Sequence, residues 1–129
     1  MPTLFTKIIN GEIPCHKIYE DERFLAFLDI RPINPGHTLV IPKKEIEYFF
    51  DLDDELLKGI MLVARNVARA IKKEVACKRI GVMIAGIEVP HAHVHLVPIC
   101  EVADLNFAKA KPVQNEDLAR MAQKIRSHL

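Results

Sequence analysis

Pro90-His91-Ala92-His93-Val94-His95-Leu96-Val97-Pro98 places three of the chain's six histidines at alternate positions, with small or aliphatic residues between them. Read as a strand, successive side chains point to opposite faces. His91, His93 and His95 then line one face while Ala92, Val94 and Leu96 line the other. Val94 and Val97 favour extended structure, and Pro90 and Pro98 bracket the run and disfavour a helix through it. The apolar face suits a core and the imidazole face a pocket. Two chemistries fit an imidazole row. Metal ligation is one, but at about 3.3 Å per residue His91 and His95 start roughly 13 Å apart, too far to share one zinc. A neighbouring pair would need a third ligand from elsewhere. Nucleophilic catalysis is the other: a neutral central imidazole attacks phosphorus, and its neighbours hydrogen-bond the oxygens where charge builds. A chance histidine-rich sheet face explains one histidine better than three in strict alternation opposite an apolar row.

The remaining sequence bounds what surrounds that row. A chain of 129 residues, half of them hydrophobic and 27% charged, suits one domain with a real core and argues against disorder. A net charge of +1 gives no sequence-independent attraction for nucleic acid or a membrane surface. The apolar runs fall far short of a membrane span, and Met1-Pro2-Thr3 does not open a signal peptide. Cys15, Cys77 and Cys100 are odd in number and lack paired metal spacing, which fits reduced thiols in a cytoplasmic protein.

In chain order, residues 8–13 read as a short apolar element broken by the Asn10-Gly11 turn signal. Strands are expected over 17–20 and 24–29, as an antiparallel pair, and over 37–42. A loop stiffened by Pro32 and Pro35 separates the last two. Asp51 reads as the N-cap of a long helix whose buried face is Leu57, Ile60, Met61, Ala64, Val67, Ala68, Ile71 and Val75. A strand over 80–85 leads into Gly86-Ile87-Glu88-Val89. Beyond Pro98 an irregular segment precedes a helix over 116–128, marked by Leu118, Met121, Ala122 and Ile125. The expected class is α+β, an antiparallel sheet of about five strands with one long helix and a C-terminal helix.

These residues also carry a resemblance. His91-Ala92-His93-Val94-His95-Leu96-Val97 is similar to the His-φ-His-φ-His-φ-φ signature (φ apolar) of the histidine triad, or HIT, superfamily. Leu4-Phe5-Thr6-Lys7-Ile8-Ile9-Asn10-Gly11-Glu12-Ile13-Pro14 resembles the family's opening segment. Phe24-Leu25-Ala26-Phe27-Leu28-Asp29-Ile30-Arg31-Pro32 and Gly36-His37-Thr38-Leu39-Val40-Ile41-Pro42-Lys43 resemble its central strands. The motifs keep the family's order across about residues 4–98, and they point to the branch of small nucleotide-binding HIT proteins. The resemblance implies a HIT-like fold, one HIT domain over 1–129 with residues 99–129 as a tail, and a homodimer whose sheets join edge to edge.

It also implies roles. His93 attacks the α-phosphorus of a purine nucleoside derivative, and water then resolves the nucleotidyl-histidine to an AMP-like monophosphate. His95 and His91 stabilise phosphate oxygens or assist leaving-group protonation, and His37 supports them. The nucleotide-binding set is Phe5, Ile8, Phe27, Asp29, Ile30, Leu39, Gly86, Ile87 and Glu88 together with His93 and His95. In that set Phe5 and Ile8 face the base, Asp29 takes the ribose hydroxyls, and Gly86 lets backbone approach the phosphate. On the residues alone Phe5 and Ile8 are equally plain core, Asp29 a turn cap and His37 structural. Some bacterial relatives hold a structural zinc where this chain has Thr3, Thr6 and Glu45 around His91. No zinc or other cofactor is therefore expected, and His91 is left for the pocket. Ile80 and Ile87 replace the asparagine and glutamine frequent in the family, which bears on substrate and rate. A nucleoside phosphoramidate is the expected substrate class. The alternatives are a dinucleoside polyphosphate, a dimeric nucleotide sensor with little turnover, or a metal-dependent hydrolase. The transferase branch commonly ends its row in glutamine, and this row ends in His95.

Overall fold

The computed structural model describes residues 2–129; Met1, part of the opening read for a leader, lies outside them. Strands β1 (Lys17–Glu20), β2 (Phe24–Leu28), β3 (Thr38–Pro42), β4 (Arg79–Met83) and β5 (Val94–Ile99) form one antiparallel sheet in the order β1-β2-β3-β5-β4. Three helices accompany it: α1 (Leu4–Ile9), α2 (Asp54–Glu74) and α3 (Asn115–Arg126). The α+β class with a long helix and a C-terminal helix is as the sequence indicated, and α1 is an addition.

Every residue of β2 and β3 is buried, because both faces of the sheet centre are covered. The period-2 pleat still sorts them. Phe24, Ala26, Leu28, Val40, Val94 and Leu96 face a core built with Ile60, Val67 and Ile71 of α2 and Leu118 and Ile125 of α3. Leu25, Phe27, Leu39 and Ile41 face the other way and pack with Phe5 of α1. The register Leu39↔His95 sets that second face beside the histidines.

Four local readings change. The apolar stretch at 8–13 is the end of α1, whose N-cap Thr3 accepts the Thr6 N–H at 3.0 Å, followed by a turn in which Gly11 takes φ +79°. The cap of α2 is Asp53, which accepts the Leu56 N–H at 2.8 Å; Asp51 lies in a 3-10 turn, Phe49–Asp51. The buried stripe of α2 is turned accordingly. Leu56, Val63 and Ala70 join Ile60, Ala64, Val67 and Ile71 inside, whereas Leu57 and Met61 are exposed. Adjacent apolar pairs such as Leu56-Leu57 fit two overlapping stripes, and packing against the sheet selects one. The strand expected over 80–85 is Arg79–Met83, and Pro98 sits inside β5, opposite Ile80 and beyond the part of β5 that pairs with β3.

Candidate active site

The histidine row is not one continuous strand. Pairing between β3 and β5 reaches Val40↔Val94 and stops. Past it, the Pro42 carbonyl accepts the His91 Nε2–H at 2.8 Å, while the Ala92 N–H goes to the Ile46 carbonyl at 2.7 Å. These bonds replace the ladder, so only His95 of the three lies in regular strand. The alternation survives regardless: Ala92, Val94 and Leu96 enter the core, and the three imidazoles share the opposite side, all buried.

The hydrogen bonds fix where each ring proton sits, because a carbonyl only accepts and a backbone N–H only donates. His93 Nδ1 meets the His91 carbonyl at 2.7 Å, so Nδ1 carries the proton and Nε2 keeps its lone pair. Ile33 N–H donates to His37 Nδ1 at 3.0 Å, so His37 is protonated on Nε2. That Nε2–H donates to His95 Nδ1 at 2.9 Å, which leaves the His95 proton on Nε2. His93 therefore offers a lone pair, and its neighbour His95 offers an N–H. Their rings lie 4.9 Å apart, edge to face.

His91 differs from the sequence expectation of pocket duty. Nε2–H is given to Pro42, and Nδ1 lies 2.9 Å from the Thr3 hydroxyl, which donates to it. Both nitrogens are engaged and the residue is fully buried. Its backbone carbonyl, which orients His93, is what it brings to the row.

Burial lowers the pKa of His37, His91 and His93, with Asp29 opposing the effect at His37 and the His91 carbonyl opposing it at His93. Burial, then His93 and His37, push His95 down to about 3. All four rings are neutral at neutral pH. A histidine whose folded pKa is depressed costs nothing above its unfolded value near 6.5, and destabilises progressively as pH falls from there toward the folded value. Because the unfolded chain takes up a proton at His95 while the folded one does not, this residue alone is expected to take about 2 kcal/mol from stability between pH 8 and pH 5. Denaturant melts across that range check this, and a flat profile would contradict it.

Asp29 does cap its turn, since Oδ1 accepts the Arg31 N–H at 2.9 Å. Its Oδ2 stands 3.7 Å from His37 Nε2 on a partly exposed carboxylate. Asp29, His37 and His95 thus bring one carboxylate and two imidazoles within 4.8 Å of one another. The protonation pattern does not suit a metal there. Ile33 N–H occupies His37 Nδ1, so ligation through Nε2 needs an imidazolate or a buried N–H without an acceptor. Glu45 Oε1 accepts from the Thr6 hydroxyl at 2.7 Å and the Thr3 N–H at 2.8 Å. With the Thr3–His91 bond this ties α1 to the histidine row, and the two threonine hydroxyls are not among the thiolates, imidazoles and carboxylates that zinc takes.

Of the remaining sequence candidates, Phe5, Phe27 and Leu39 are buried together, with Ile8 at their margin. The Phe5 ring lies 5.0 Å from His93 and 5.7 Å from Phe27, edge to face in both cases. Gly86 takes φ +73° in the loop after β4. Ile30, Ile87 and Glu88 stand in solvent, Ile87 at 88% exposure. Sequence reasoning missed two residues. In the sequence Thr3 reads only as a lost zinc ligand. Phe107, in a 3-10 turn at Phe107–Lys109, sets its ring 4.9 Å from His95. A lone aromatic in a polar, irregular segment was the available signal.

The HIT domain family model matches residues 10–102. A HIT-like protein of Methanocaldococcus jannaschii is 43% identical over 129 residues, covering 95% of this chain and 98% of that protein. The adenosine 5'-monophosphoramidase of Schizosaccharomyces pombe is 39% identical over 99 residues, covering 76% of this chain and 74% of the enzyme. A crystal structure of a Hit-like protein from Bartonella henselae superposes with a TM-score of 0.87 at 37% identity, over 98% of this chain and 96% of that one.

Proposed function

Because this chain belongs to the HIT domain family, we propose that it hydrolyses purine nucleoside phosphoramidates at the α-phosphorus, through a nucleotide carried covalently on His93. The observation that carries this reading is the His93 Nδ1–H held on the His91 carbonyl at 2.7 Å. It leaves Nε2 as the one triad nitrogen with a lone pair and no hydrogen bond to the described residues. In the first step the His93 Nε2–P bond forms and the P–N bond breaks, and the departing amine takes a proton from solvent water. His93 becomes cationic, so its bond to the His91 carbonyl strengthens as charge develops. In the second step water attacks phosphorus and gives its surplus proton to solvent, replacing the one the amine took, the P–Nε2 bond breaks, and the nucleoside monophosphate leaves with His93 neutral again.

His95 acts as a fixed donor. With a pKa near 3 it carries no extra proton to give at neutral pH, and its Nε2–H hydrogen-bonds a phosphoryl oxygen. Asp29 Oδ2 is the acceptor for a ribose hydroxyl, while Phe5, Ile8, Phe27, Ile30 and Leu39 supply apolar surface for the base. Gly86, with Ile87 and Glu88 turned to solvent, leaves backbone facing the phosphate. No metal takes part, in keeping with the engaged nitrogens of His37 and His91.

The proposed assembly is a homodimer formed along β4, one of the sheet's two outer strands, where Val82 and the following Ile84 are exposed. The compartment proposed is the cytoplasm, on the three free thiols. No described helix is long and apolar enough to cross a membrane. A nucleotide sensor with little turnover is the second reading, favoured by the solvent-facing Ile87 in place of a polar phosphate ligand.

The test is AMP release from adenosine phosphoramidate in excess chelator. Undiminished multiple turnover is the expected result. AMP binding without turnover would replace the enzyme by the sensor, and chelator-sensitive turnover would replace it by a metal hydrolase.

A further inference from the structure

We propose that Cys77 and Cys100 form an oxidative modification site, opposed across the point where β4 begins and β5 ends, and that they close to a disulfide when the chain meets a peroxide. This goes beyond the reaction above and does not depend on it.

The pairing follows from how the two strands end. Arg79↔Ile99 is the last pair of the β4–β5 ladder. The Pro98 carbonyl accepts the Asn34 side-chain amide at 2.8 Å, on the side of β3, so by alternation the Ile99 carbonyl points to β4. Lys78, one residue before β4, donates its N–H to that Ile99 carbonyl at 3.0 Å. Two successive residues, Lys78 and Arg79, therefore stand against one partner, which is a β-bulge and slips the register by one. Without the slip Cys77 would meet Glu101 and point away from Cys100; with it, Cys77 meets Cys100.

Burial and hydrogen bonding agree. Lys78 and Arg79 are both exposed, whereas Cys77 and Ile80 on either side of them are half-buried. One residue past Ile99, the Cys100 N–H turns away from β4 and goes to Asp104 Oδ2 at 2.8 Å. Opposed residues at such a position have Cα atoms about 4.5 Å apart, within the span a disulfide bridges. Both thiols are free, and Cys100 is exposed to a reagent. Cys15, the remaining thiol, precedes β1 at the opposite edge of the sheet.

The oxidant is a hydroperoxide. The Cys100 sulfur attacks one peroxide oxygen, the O–O bond breaks, and the thiol proton leaves with the departing hydroxide as water. The Cys77 sulfur then attacks the sulfenic sulfur, the S–O bond breaks, and its proton leaves in a second water. Two electrons pass from the thiols to the peroxide. A reducing compartment keeps the resting pair as thiols and makes the bond transient. Once formed, it closes residues 77–100 into a ring holding β4, the Gly86 loop and the histidine row, and so restricts the unfolded chain.

The experiment treats the reduced full-length chain with hydrogen peroxide, alkylates what remains, and maps peptides and melting temperature for wild type, Cys77→Ser and Cys100→Ser. The wild type is expected to lose two hydrogens within one chain, link Cys77 to Cys100 and leave Cys15 alkylated. Its melting temperature is expected to rise by about 5–10 °C and to return with dithiothreitol. Neither serine variant is expected to gain that rise. A link to Cys15, a link only between chains, or cysteines oxidised singly without a link would overturn the proposal. So would a Cys77–Cys100 link that lowers the melting temperature, as one forced on thiols that are not opposed in the fold.

Discussion

Replacing His93 with alanine is expected to lower AMP release from adenosine phosphoramidate by about a thousandfold or more while the chain still folds. No neighbour can take its place. His91 spends one nitrogen on Pro42 and the other on Thr3, His95 Nδ1 accepts from His37, and His95 Nε2 is protonated. His37 is buried behind His95 with Nδ1 occupied by Ile33. The variant loses an edge contact with Phe5 and one hydrogen bond to a carbonyl, so its stability should fall by about 1–2 kcal/mol. Initial rates at matched folded fraction are the check. A variant that keeps rates within tenfold of wild type would remove His93 as the nucleophile.

Loss of His37 should damage stability and rate together. In His37→Ala the buried Ile33 N–H loses its acceptor and His95 Nδ1 loses its donor, and a ring-sized space opens beside Asp29. An orphaned N–H and a partly collapsed cavity together cost about 3–4 kcal/mol. With nothing holding the His95 proton on Nε2, the donor to the phosphoryl oxygen becomes one tautomer among two, and turnover should drop by about a hundredfold. Urea midpoints and single-turnover rates measure the two effects separately. A destabilised variant that reacts at the wild-type rate when folded would mean that His37 only fills space.

Much of this was readable in the sequence because it rests on periodicity. Alternation at Ala92, Val94 and Leu96 announced a buried face, and the apolar spacing along residues 54–74 announced a long helix. What escaped lies where periodicity is silent or has two solutions. Leu56-Leu57 and Asp51/Asp53 each offered two registers, and only contact with the sheet chose between them. The six residues of α1 are too few to reveal a helix by spacing alone, and its docking depends on Thr3 and Glu45 meeting across the fold. The engagement of His91 follows from bonds to Thr3 and Pro42, residues far from it in sequence. Which histidine attacks was suggested by the motif, but why it is His93 became visible only through the ring protons. Phe107 had no pattern around it at all, since 3-10 turns capped by Asp104 and Asn106 leave little trace beyond polar composition.

The most direct test of the covalent mechanism is to quench wild-type turnover of adenosine phosphoramidate in alkaline denaturant and locate the nucleotide by peptide mass mapping. One adenylyl group on His93, absent from His93→Ala, is the expected result. An adenylyl group on His91 or His95, or one that persists in His93→Ala, would contradict it.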